Sequence, residues 1–265
     1  MLIGHEKLTE TFKRLIREDK LSHGYIFFGE SGVGKFSFAL GFATYLETGE
    51  FQKQSRLLEE TLIIRPSEEG TISINNIRES RYFLLQKPAY SPRRTVIIDE
   101  AECLTGEAQH AILKIAEEPP STGLIILVLS NPEALLPTLQ SRLQKIYFPR
   151  LSSELITAML VSELKLTKEK AAEITKISFG RPGRAIRLIE NRKQKVESRS
   201  KRSLIEGMIE NNEVMKEYLT ETIAELAKDP IKNYENLKSI LHRVTLISQF
   251  NTNKRLQLES ALWNI

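Results

Sequence analysis

The 265-residue chain is 41% hydrophobic and 27% charged, which excludes a disordered polymer or a disulfide-held miniprotein and predicts two or three compact units. Its single cysteine, Cys103, permits neither an internal disulfide nor a CxxC metal cage and points to a reducing, cytoplasmic setting. The net charge of +4 is too small to define a partner by itself. The longest strongly apolar run, Leu124 to Leu129, is far short of the roughly 20 residues of a membrane span, and Met1 to Glu10 carries charge where a secretion signal would be apolar, so no membrane partner is expected.

In chain order, Glu6 to Lys20 places Leu8, Phe12, Leu15 and Ile16 at helical spacing among lysines and arginines, which predicts an amphipathic helix. Five short aromatic or β-branched runs follow: Tyr25 to Phe28, Thr61 to Ile64, Thr95 to Ile98, Leu124 to Leu129 and Lys145 to Phe148. Helix-length stretches separate them, and several are apolar on both faces. This alternation predicts an α/β domain over 1–150, with a parallel sheet covered by helices on each side. Beyond Pro149 the strand signals stop. Leu151 to Ser162, Lys168 to Ser178 and Gly183 to Glu190 read as three short helices, a small unit over 151–190, and a shortened all-α segment is expected over 191–265. Its helices are expected to break near Asn211-Asn212, Asp229-Pro230 and Asn251-Thr252-Asn253. Between Arg192 and Arg202, six cations face only Glu197; such a run is either a solvated helix face or a track for phosphates.

The first strand runs into Gly29-Glu30-Ser31-Gly32-Val33-Gly34-Lys35 and then a helical pattern from Phe36 to Leu46. This is GxxxxGK in a strand-loop-helix setting: Gly29, Gly32 and Gly34 let the backbone wrap phosphates, its amides and the helix N-terminus supply donors, and Lys35 supplies a cation. ATP or ADP is the expected ligand, with Mg²⁺ only alongside nucleotide. The residue after Lys35 should be Ser or Thr to hold Mg²⁺, but it is Phe36. Ser37 sits about 100° farther around the helix and does not replace it. The loop can still bind nucleotide, but it lacks the hydroxyl that metal-assisted hydrolysis uses.

The strand Val96-Ile97-Ile98 ends in Asp99-Glu100, the pattern of a metal-side aspartate and a water-orienting glutamate. Leu124 to Leu129 ends in Ser130-Asn131, either polar groups at the ligand edge of the sheet or a plain strand-ending turn. Arg142 follows Ser141 and, taken alone, is a candidate arginine finger or an ordinary surface residue.

The order of these motifs, closed by Gly180-Arg181-Pro182-Gly183-Arg184-Ala185, resembles the AAA+ ATPases. Leu21-Ser22-His23-Gly24-Tyr25-Ile26-Phe27, Ile98-Asp99-Glu100-Ala101-Glu102, Ile72-Ser73-Ile74-Asn75-Asn76-Ile77-Arg78-Glu79 and the string Ala108 to Pro120 are similar to segments of bacterial clamp-loader subunits. With Phe36 in the phosphate loop, the resemblance is to the δ′ type of DNA polymerase III subunit. It implies a RecA-like domain, a three-helix lid, a shortened collar, and assembly with γ/τ-type and δ subunits to open a sliding clamp β onto primer-template DNA. It further implies Arg142 as a finger acting in trans, although Leu143 replaces the family cysteine, and Arg184 as a sensor arginine in the lid. Glu47 to Thr61 has no cysteine, so the family's zinc module is expected to be absent. Two rivals stay open: an active γ/τ-type ATPase, opposed by Phe36, and a nucleotide-independent nucleic-acid scaffold using Arg192 to Arg202.

Overall fold

The structure, a computed structural model, describes residues 4–51, 58–197, 212–227, 229–230 and 233–249. Its elements in chain order are α1 (Glu6–Arg17), β1 (Gly24–Phe28), α2 (Lys35–Thr48), β2 (Thr61–Ile64), α3 (Ile74–Leu85), β3 (Arg94–Ile98), α4 (Gly106–Glu117), β4 (Gly123–Leu129), α5 (Pro137–Gln140), β5 (Gln144–Tyr147), α6 (Ser153–Leu164), α7 (Lys168–Ser178), α8 (Pro182–Glu197), α9 (Asn212–Leu226) and α10 (Tyr234–Gln249). Each of the five expected strands forms within one residue of its expected limits.

The strands make one wholly parallel sheet in the order β2-β3-β4-β1-β5. Because alternate side chains leave opposite faces of a strand, Val96 and Ile98 pack with α3 and α4 through Ile77, Leu84, Ile112 and Ile115. Ile97 joins the other face with Phe12, Phe27, Phe38 and Phe42 of α1, β1 and α2. All seven residues of β4 are buried, as a central parallel strand covered on both sides requires. The sheet is thus the middle layer of an α/β assembly, with helices on both of its faces.

Local chemistry sets the helix limits. Asn76 Oδ1 accepts the backbone N–H of Ser73 at 3.1 Å, closing the start of α3. Thr105 Oγ1 accepts from Ala108 N at the start of α4. Helix α1 stops three residues before the end of its amphipathic pattern, because Asp19 turns into the left-handed region at φ 52° and Lys20 N–H bonds back to Leu15 O.

By contacts the chain divides into two compact units, Met1–Leu188 and Ile189–Ile265. The first contains the sheet together with α6, α7 and the opening of α8. In the second, α9 and α10 pack on one another around Met215, Leu219 and Ile240, and Asn233 Nδ2 donates to the carbonyl of Leu226. The side chains of the basic run Arg192 to Arg202 and the expected break at Asn251 to Asn253 lie outside the described residues. Among the described residues, no helix is long and apolar enough to cross a membrane.

Candidate functional site

In a parallel sheet every strand ends on the same edge, and here the chain leaves β1 for the far side of the sheet and later returns to its other flank. The C-terminal end of β1 therefore lies at the switch point where such sheets bind ligands. The loop after β1 stands there. Gly29, Gly32 and Gly34 have φ of 142°, 82° and 102°, backbone that L side chains seldom adopt. At Gly29 a Cβ would also run into the carbonyl of Phe148, so the sharp turn out of β1 needs glycine twice over.

The loop is braced from below by aromatic rings. Phe38, fully buried one turn into α2, packs against Phe12, Phe27 and Phe148, while His5 packs edge-on to Phe148 and bonds through Nε2 to the carbonyl of Val33 at 2.9 Å. Burial lowers the His5 pKa below its usual value, with the Val33 carbonyl acting the other way. Three more of the loop's carbonyls also have donors. Lys35 Nζ donates to Gly29 O at 2.6 Å and to Glu30 O at 2.8 Å. Gly183 N–H, from the first turn of α8, donates to Gly32 O at 2.8 Å. This last contact is close enough that a Cβ on Gly183 would stand 3.0 Å from the Gly32 Cα, so Gly183 lets α8 reach the loop.

Charge is arranged around this loop in three groups. Lys35 is buried, and desolvation lowers its pKa against the pull of Glu102, Asp99 and Glu30. Burial likewise raises the Asp99 pKa, opposed by Arg65. On the outer side, Glu30 pairs with Arg150 at 2.6 Å and, at 4.0 Å, with Arg181, and the Arg150 hydrogen bond holds the Glu30 pKa down. Arg184 follows Gly183 directly, with its guanidinium 5.3 Å from the Phe179 ring centroid.

The metal side of the pocket departs from what Mg²⁺ needs. Magnesium demands oxygen ligands at about 2.0–2.1 Å in octahedral array, but Phe36 offers a ring and Ser37 is exposed to solvent. Arg65 lies between Phe36 and Asp99: its guanidinium is 4.8 Å from the Phe36 centroid, and its Nε is 3.7 Å from Asp99 Oδ2. The cause is register. Ile64 of β2 pairs with Ile98 of β3, and Asp99 N–H bonds Ile64 O, so the next residues on each strand, Arg65 and Asp99, emerge side by side. These residues do not fit a divalent metal.

The other residues singled out from the sequence spread along the same sheet edge. Glu100 is exposed and holds a left-handed backbone at φ 51°. Asn131 Oδ1 accepts from Glu133 N–H and so caps the short turn Pro132–Ala134. Arg142 stands apart, beyond α5: its Nη2 meets Glu117 Oε1 at 3.0 Å and its Nη1 donates to Thr138 O at 2.9 Å, with 38% of the side chain exposed. Helix α4 thus grips this segment at two points, since Gln109 also donates to Ala134 O and accepts from Leu136 N–H. Arg65, Glu30, Arg150, Glu102, His5 and Glu117 were not singled out by sequence. Only Arg65 left a signal, visible once β2 and β3 are known to be neighbours.

A family model described as DNA polymerase III, delta subunit, matches residues 4–152. The chain is 29% identical over 172 residues to the DNA polymerase III subunit gamma/tau of Mycobacterium bovis, covering 60% of this chain and 30% of that protein. It is 29% identical over 135 residues to the DNA polymerase III subunit delta' of Pseudomonas aeruginosa, covering 46% of this chain and 41% of that one. The chain thus spans well under half the length of these relatives. Among solved structures, a DNA polymerase III gamma-subunit-related protein of Thermotoga maritima superposes with TM-score 0.56 at 21% identity, covering 96% of this chain and 97% of that one, a likeness of fold.

Proposed function

Since the chain belongs to the DNA polymerase III delta-subunit family, we propose that it is a δ′-type subunit of a cytoplasmic replicative clamp loader that hydrolyses little or no ATP itself. The observation that carries this reading is the metal side of its own pocket, where Phe36 and the Arg65–Asp99 pair occupy the place of a hydroxyl and a metal. An ATPase of the γ/τ type needs that metal to neutralise charge on the transferred phosphoryl group.

In this reading the sheet domain, the α6–α8 lid and the helical collar form one segment of a ring with γ/τ-type and δ partners. The ring opens a sliding clamp onto primer-template DNA. Arg142 serves an adjoining subunit's nucleotide as a fixed cation, held ready by Glu117, while Lys35, Asp99, Glu100, Asn131 and Arg184 shape this chain's own idle pocket.

Assembly tests the proposal. Mixed with γ/τ-type and δ partners, the chain is expected to elute with them as one complex in size-exclusion chromatography, and the complex to load clamp onto primed DNA. Failure to enter any complex, with the chain folded by circular dichroism, would remove the loader role and leave the fold.

A further inference from the structure

A phosphate loop without a metal ligand raises the question of what balances the charge of a bound polyphosphate. The carbonyls that would repel an anion are already engaged: those of Gly29 and Glu30 by Lys35, that of Gly32 by Gly183, and that of Val33 by His5. At these four positions the negative ends of the loop backbone are turned to protein donors, with Lys35 beside them. On the metal side stands Arg65, a planar, permanently charged group whose fork matches phosphate oxygens. The Phe36 ring lies against its guanidinium and the Asp99 carboxylate pairs with its Nε. Its side chain is 60% exposed, so its outer nitrogens are accessible from solvent.

We propose that Arg65 is a built-in replacement for the divalent cation, and that the pocket takes a nucleoside di- or triphosphate as the metal-free anion. On binding, Lys35 keeps two of its three N–H donors on the Gly29 and Glu30 carbonyls and offers the third to the phosphates, while Arg65, paired with Asp99, meets the outermost phosphate. No bond is broken; the ligand is held and not consumed. The inference rests on the loop and its flank, and it holds whether or not the chain assembles with other subunits.

The test is equilibrium titration of the full chain with a fluorescent ADP analogue, once in EDTA and once in Mg²⁺. The expected result is equal affinity in both, with Arg65→Ala weakening binding by about tenfold or more in EDTA. Arg65 is exposed, so its removal should leave the melting temperature unchanged and the comparison clean. The double variant F36T/R65A, which restores a hydroxyl and vacates the cation's place, is expected to regain Mg²⁺ dependence. Binding that Mg²⁺ tightens about tenfold or more in the unaltered chain, or no binding in either condition, overturns the proposal.

Discussion

Arg142→Ala is expected to cut ATP turnover at the adjoining loader site by about 10³- to 10⁵-fold, the range set by removing a trans-acting arginine. The size follows from the kind of stabilisation involved. A guanidinium aimed at charge that develops only in the transition state lowers the barrier without tightening the ground state, so kcat should fall while nucleotide affinity at that site holds. Preorganisation is visible in this chain: Glu117 and the Thr138 carbonyl fix two nitrogens of the Arg142 guanidinium, and Gln109 anchors the preceding segment to the same helix. The measurement is single-site turnover in a reconstituted loader in which only the flanking ATPase keeps its phosphate-loop lysine. Unchanged turnover would strip Arg142 of the finger role and return it to the surface ion pair that its contact with Glu117 would otherwise be.

Glu60→Gln is expected to give the second large effect, on stability. Glu60 is only 2% exposed, and its carboxylate accepts backbone N–H groups of Ala89, Tyr90 and Ser91, tying the turn before β3 to the start of β2. An amide places a donor against donors, and leaving one buried N–H unmet costs about 1–3 kcal/mol. The pH dependence identifies the cause. Burial pushes the Glu60 pKa up, but the three N–H groups and Arg94 outweigh it, so the folded value lies below the usual one. The unfolded chain then binds the proton more readily. This stabilisation is fully present above about pH 4.3, the ordinary glutamate value, and disappears as the pH falls through the lowered folded value. In urea unfolding, the gap between the two proteins should be widest near neutrality and should narrow in acid. A gap that stays constant with pH would assign the loss to packing instead.

Much of this fold could be read from the sequence because parallel strands buried on both faces leave short continuous apolar runs, such as Leu124 to Leu129, whose length and flanking turn residues favour a strand over a buried helix. The glycine-rich turn after β1 is equally legible, since Gly29, Gly32 and Gly34 hold backbone that other residues seldom adopt. What stayed hidden was every partnership that depends on strand order or on the approach of a distant helix. Arg65 follows an unremarkable apolar strand, and it meets Asp99 only because β2 and β3 are neighbours in register. Gly183 looked like part of a family signature, yet its physical role is to let α8 touch Gly32. Phe36 marks a missing hydroxyl, while the guanidinium that packs on its ring comes from Arg65, 29 residues farther along the chain.

A δ′-type subunit of the kind proposed supports hydrolysis elsewhere and carries out almost none at its own phosphate loop. The most direct measurement is phosphate release by the isolated chain at saturating ATP with Mg²⁺, compared with its Lys35→Ala variant. The same background rate is expected for both proteins. Sustained Mg²⁺-dependent turnover that vanishes in Lys35→Ala would contradict it and identify the chain as a motor subunit in its own right.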